Sequence, residues 1–156
     1  MARKVISWLL VILWMGLIFY LSHQPATQSS DLSSGLTERI LAVIDRVISG
    51  LDINVENFHH LIRKGAHFFA YFVLGILVTS ALRTHSLVGW RHFFIACLIC
   101  VVYAVSDEVH QLFIPGRAGQ VKDVMIDSAG AFVGIAGYFV FERLIRRLKG
   151  NVGRSG

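Results

Sequence analysis

Hydrophobic residues run almost unbroken from Val5 to Leu21, from Ala66 to Leu82, from Phe93 to Val105 and from about Asp123 to Phe141. A helix rises about 1.5 Å per residue, so roughly 20 apolar residues cross the hydrocarbon core of a bilayer. The pattern predicts four spanning helices at about 5–22, 66–82, 90–106 and 123–141, the third starting near Trp90. Trp8, Trp14 and Tyr20 supply interfacial aromatics to the first. A cleaved signal peptide is the competing reading of that run. It is long for such a segment, and SHQPATQSS offers no clean small-x-small cleavage site, so an uncleaved span is expected.

The intervals predict the rest. Ser22 to Ser34 is polar and serine-rich, hence a loop. Leu36, Ile40, Ile44, Val47 and Leu51 then recur at helical steps with Glu38, Arg39, Asp45 and Arg46 largely between them. This predicts an amphipathic helix ending near Gly50, lying at the membrane surface or capping the bundle. Asn54 is a candidate N-cap for a helix that continues into the second span. Arg83 to His92 reads as a short basic loop, and Ile114-Pro115-Gly116 as a turn that ends the third helix. The expected fold is all-α: a bundle of four transmembrane helices with an additional amphipathic helix between the first and second spans. Residues 1–156 form one domain in this reading.

Composition agrees with a membrane class. Of the residues, 54% are hydrophobic and 16% charged, and the mean hydropathy is +0.60. A net charge of +5 raises nucleic acid as a partner, but the basic residues flank apolar runs instead of forming an aromatic-interleaved patch, so none is expected. Four spans put both termini on one side with Arg3, Lys4, Arg83, Arg91, Arg143, Arg146, Arg147, Lys149 and Arg154. Arg39, Arg46, Arg63, Lys64, Arg117 and Lys122 fall opposite, with nine of the ten acids. The Lys/Arg bias predicts cytoplasmic termini. Cys97 and Cys100 lie one turn apart in an apolar run and read as small buried hydrophobes, not as a redox or zinc pair.

This topology gathers a polar constellation at one depth. His67 and Tyr71 open the second span, Asp107, Glu108, His110 and Gln111 close the third, and Asp123 and Asp127 open the fourth, with Arg117 on the turn between. Ionisable residues near membrane depth are costly and tend to have partners or a function. Three readings fit. Arg117 and Lys122 neutralise the acids while His67 and Gln111 satisfy backbone ends. Alternatively, Arg117 forks onto an anionic headgroup or peptide carboxylate. In the third, His67, Asp107, Glu108 and Asp127 hold a metal or act as acid and base on a lipid-linked substrate. No HExxH-type motif is present, so no catalytic residue, metal or cofactor is assigned. His59 and His60 read as interfacial, and His85 and His92 as members of the basic loop. Gly130, Gly134 and Gly137 include a GxxxG that favours close helix packing.

Lys64-Gly65-Ala66-His67-Phe68, Tyr71 and Leu74-Gly75, then Tyr103, Asp107-Glu108-x-x-Gln111, Pro115-Gly116-Arg117, Asp123 and Gly130 resemble the VanZ-like family. Many members carry Glu where this chain has Ala70 and Asn where it has Asp127, and Asp127 can supply a carboxylate nearby. The resemblance implies a small bacterial membrane protein, multi-pass in the cytoplasmic membrane. The family's namesake lowers susceptibility to the glycopeptide teicoplanin. The combined expectation is an outward-facing site of His67, Tyr71, Asp107, Glu108, Gln111, Arg117, Asp123 and Asp127. It would engage a cell-envelope component such as a membrane lipid or lipid-linked precursor. The alternative is a membrane enzyme modifying such a lipid or precursor.

Overall fold

The computed structural model describes residues 1–25, 34–35, 55–85, 89–117 and 119–152. The expected amphipathic helix and the Asn54 cap lie outside the described residues. Among those described there are four helices: α1 (Ala2–Ser22), α2 (Val55–Arg83), α3 (Gly89–Gln111) and α4 (Val121–Val152). Each is long and apolar enough to cross a bilayer. The all-α bundle of four spans is thus the observed architecture.

The helices outrun the apolar stretches at their polar ends. α2 starts before Ala66, α3 continues through Asp107 and Glu108 to Gln111, and α4 continues through Arg143 and Arg147. Charge limits where lipid can be met, whereas helix propagation stops only at a breaker. In α3 that breaker is the Pro115-Gly116 turn, where Gly116 adopts φ 77°, a left-handed conformation that a Cβ disfavours.

Packing follows stripes of small residues. α3 buries His92, Ala96, Cys100, Ala104, Asp107, Glu108 and Gln111, close to a four-residue repeat along one face. α1 buries only Val11, Ile18 and Ser22, leaving Leu9, Leu10, Ile12, Leu13 and Leu17 exposed to the surroundings. So much exposed apolar surface suits lipid and not water. α2 is the hub. It packs most extensively on α4 and also meets α1 and α3.

The α2–α4 contact is a backbone seam. A Cβ on Gly130 would lie 2.2 Å from the Phe68 carbonyl oxygen, and one on Gly134 would lie 2.1 Å from that of Phe72. Gly75 reciprocates toward Ala131, at 2.4 Å. The two helices run in the same direction, so the first turns of both spans meet at one end. The expected GxxxG contact is therefore made within the chain by Gly130 and Gly134. Gly137 has nothing within 4 Å and is outside the seam.

His92 departs from the sequence reading. Instead of joining a basic loop, it sits inside α3, buried, with Nε2 2.8 Å from the Thr79 carbonyl oxygen. Helix α3 starts at Gly89, so His92 lies within it and on its buried face. Cys100 is fully buried in the core and Cys97 partly so, both as free thiols.

Candidate polar cleft

The ends of α1 and α3 and the beginnings of α2 and α4 meet on one side. Asp107 is the buried centre of this end. Its Oδ2 accepts hydrogen bonds from Ser22 Oγ at 2.8 Å, Gln111 Nε2 at 3.4 Å and Tyr71 OH at 3.5 Å. One oxygen thus draws donors from three helices. Oδ1, also buried, has no hydrogen-bond partner. Tyr71 is fully buried, so its hydroxyl needs such an acceptor.

Arg117 joins the turn to α1. Its Nε donates to the Gln24 carbonyl oxygen at 2.9 Å, Nη2 to that of Leu21 at 3.4 Å and Nη1 to Gln111 Oε1 at 3.1 Å. The carbonyls at a helix C-terminus have no intrahelical donor and carry partial negative charge, so a guanidinium fits there. Through Gln111 the same cation also steadies Asp107. Burial, and then the charge of Arg63, lower the pKa of Arg117, while Asp107 and Glu108 raise it.

The remaining acids take separate partners. Glu108 Oε1 accepts the Gln120 backbone N–H at 2.6 Å, which ties α3 to the segment entering α4. Asp123 faces Lys64 Nζ at 3.4 Å. Lys122, an expected counter-charge, is exposed. Asp127 is wholly buried and lies 3.7 Å from Nδ1 of the half-buried His67. Neither oxygen of Asp127 has a hydrogen-bond partner. His110 turns elsewhere: it stacks on Phe19 and lies 3.1 Å from His23 in an exposed pair.

A cleft of about 180 Å³ opens among these groups, lined by basic residues (Arg63, Lys64, Arg117), acids (Asp123, Asp127), His67 and the amides of Gln111 and Gln120. Of the eight residues singled out from the sequence, His67, Gln111, Arg117, Asp123 and Asp127 line it. Tyr71, Asp107 and Glu108 are the buried support beside it. Sequence reasoning missed Ser22, which it assigned to the end of a span and the start of a loop. The available signal was helical spacing, since Val11, Ile18 and Ser22 share one stripe. It also gave no site role to Arg63 or Lys64, although Lys64 stands three residues before His67 and therefore on its face.

Four lipid-compatible helices and a polar cleft where their ends converge define a small multi-pass helical membrane protein with a candidate site at one end of the bundle. A family model described as VanZ/LLP1 matches residues 7–142, and the chain belongs to that family. The match covers every residue of the cleft. Comparison with curated proteins and with solved structures gave no match.

Proposed function

We propose that the cleft receives the phosphate-bearing headgroup of a membrane lipid or lipid-linked envelope precursor. The site then lies at the outer face of a bacterial cytoplasmic membrane. The observation that carries this reading is the open cleft with Arg63, Lys64 and Arg117 in its lining, at the membrane-boundary end of four spans. Pairing within the cluster does not close it: Lys64 meets Asp123 at 3.4 Å and His67 lies 3.7 Å from Asp127, yet the cleft between them stays open. Binding sites for whole drug-sized ligands run from about 300 Å³ upward. The cleft suits a headgroup, so any effect on glycopeptide susceptibility acts through the envelope component and not through holding the antibiotic.

A direct test is native mass spectrometry of the detergent-purified protein offered phosphatidylglycerol and an uncharged diacylglycerol. The phosphate-bearing lipid is retained by the wild type and lost from an Arg63→Gln/Lys64→Gln variant. Equal retention of both lipids, or no effect of the double substitution, overturns the reading. Expression in a glycopeptide-sensitive host, with membrane levels matched, then asks whether the same variant loses any protection.

The His67–Asp127 pair favours a second reading. A histidine 3.7 Å from a buried carboxylate and facing a cleft is a candidate general base, so acid–base chemistry on the bound headgroup is the alternative. Turnover of a lipid precursor that Asp127→Asn abolishes, without loss of lipid retention, would separate it from binding alone.

Orientation is tested separately. Phe113 is exposed beside the cleft end and Lys149 is exposed at the opposite end. In a chain with Cys97 and Cys100 replaced by Ala, Phe113→Cys reacts with an impermeant thiol reagent on intact cells and Lys149→Cys does not. The reverse pattern would put the cleft in the cytoplasm.

A further inference from the structure

We propose that His67, Asp107 and Asp127 form a binding site for one divalent cation of the zinc or manganese class. The three residues come from α2, α3 and α4, and one ligand atom from each lies within 4.8 Å of the others. An imidazole with two carboxylates is a donor set these ions accept, and three protein ligands leave coordination positions open. Bonds of about 2.0–2.2 Å bring such ligand atoms closer together, which asks for only small side-chain movements.

A second observation separates this from a mere cluster of acids. Asp127 is completely buried, and its nearest partner, His67 Nδ1 at 3.7 Å, is too far to donate a hydrogen bond to either oxygen. A buried carboxylate left this way is costly, and an ion is one of the few groups that resolves it. Asp107 is prepared in a complementary way. Ser22, Gln111 and Tyr71 all hold Oδ2, while the buried Oδ1 is left without a hydrogen bond. Donors that fix one oxygen of a carboxylate and leave the other for an ion are the usual outer support of a metal ligand. Two carboxylates also balance the charge of a divalent ion. His67 and Asp127 line the cleft, so the open coordination positions face it, where a phosphate oxygen is suitable ligand chemistry.

This inference goes beyond headgroup binding and can fail independently of it. The test is calorimetry on chelator-stripped, monodisperse protein in detergent, titrated with Zn²⁺ and Mn²⁺. One ion binds per chain. Asp127→Asn weakens affinity by at least about 100-fold, and Ser22→Ala, which removes only outer support, by about 10-fold. Should Asp127→Asn fail to fold, His67→Gln provides the same comparison. A spectroscopic readout identifies the ligand directly. In the chain with Cys97 and Cys100 replaced by Ala, Asp127→Cys loaded with Co²⁺ shows a thiolate-to-cobalt charge-transfer band. Met125→Cys, exposed on the same helix, shows none. Absence of stoichiometric binding, undiminished binding by Asp127→Asn, or no charge-transfer band overturns the proposal. Lipid retention that persists through such a failure leaves the headgroup reading standing.

Discussion

Gly134→Ala will lower the thermal stability of the detergent-solubilised protein, and Gly137→Ala will not. The added Cβ at Gly134 would stand 2.1 Å from the Phe72 carbonyl oxygen, a backbone atom that cannot rotate away. The helices must separate instead. Overpacking of a tight contact costs about 1–3 kcal/mol, and a rigid neighbour places this site toward the upper end. Gly130→Ala meets Phe68 in the same manner, at 2.2 Å. Gly137 has open space around it, so its substitution tests whether any added methyl on α4 is harmful. The consequence reaches the cleft, because the seam sets the distance between His67 on α2 and Asp127 on α4. Equal midpoints for the Gly134 and Gly137 variants would show that the seam does not hold these helices together.

Arg117→Lys will be nearly as damaging as Arg117→Ala. The guanidinium serves three acceptors at once: the carbonyls of Leu21 and Gln24 on one side and Gln111 on the other. A lysine ammonium keeps the charge but is a compact point on a flexible stem, without the planar fork that reaches acceptors in different directions. Hydrogen bonds from a charged donor contribute about 1.5–3 kcal/mol each, and the lower end applies because Arg117 is only partly buried. The effect arrives first as a loosened end of α1 and then as a freed Gln111, which withdraws one donor from Asp107. Unfolding midpoints and lipid retention, measured on the same preparations, should fall together. Wild-type behaviour of Arg117→Lys would mean that a positive charge near the acids is sufficient. The ligand-fork reading of the sequence is reshaped by this geometry, since much of the fork is already engaged within the protein.

The contrast between Arg117 and His92 shows what was legible. Both stand near the ends of predicted spans, and the sequence places both by their neighbours. Arg117 follows a proline-glycine turn, a local signal strong enough to fix where the helix ends. His92 precedes an apolar run and reads as loop. Its burial depends on which face of α3 turns inward, and that is decided by packing against Thr79 on α2 and not by its neighbours in sequence. Asp107 is similar. Its position at the close of the third span could be read directly, but the hydroxyl that holds it belongs to Ser22, 85 positions away in the chain.

By itself, the sequence determined the class, the number of spans and the end of the bundle at which the polar residues gather. Those properties follow from local hydropathy and from the fixed rise of a helix, both of which are written residue by residue. Only the tertiary structure decided which acids have partners, that Arg117 braces α1, and that His67, Asp107 and Asp127 stand close enough to share an ion. Such pairings depend on how three helices rotate about their own axes. That rotation is set by the glycine seam between α2 and α4 and by the small-residue face of α3, through contacts between residues far apart in the chain.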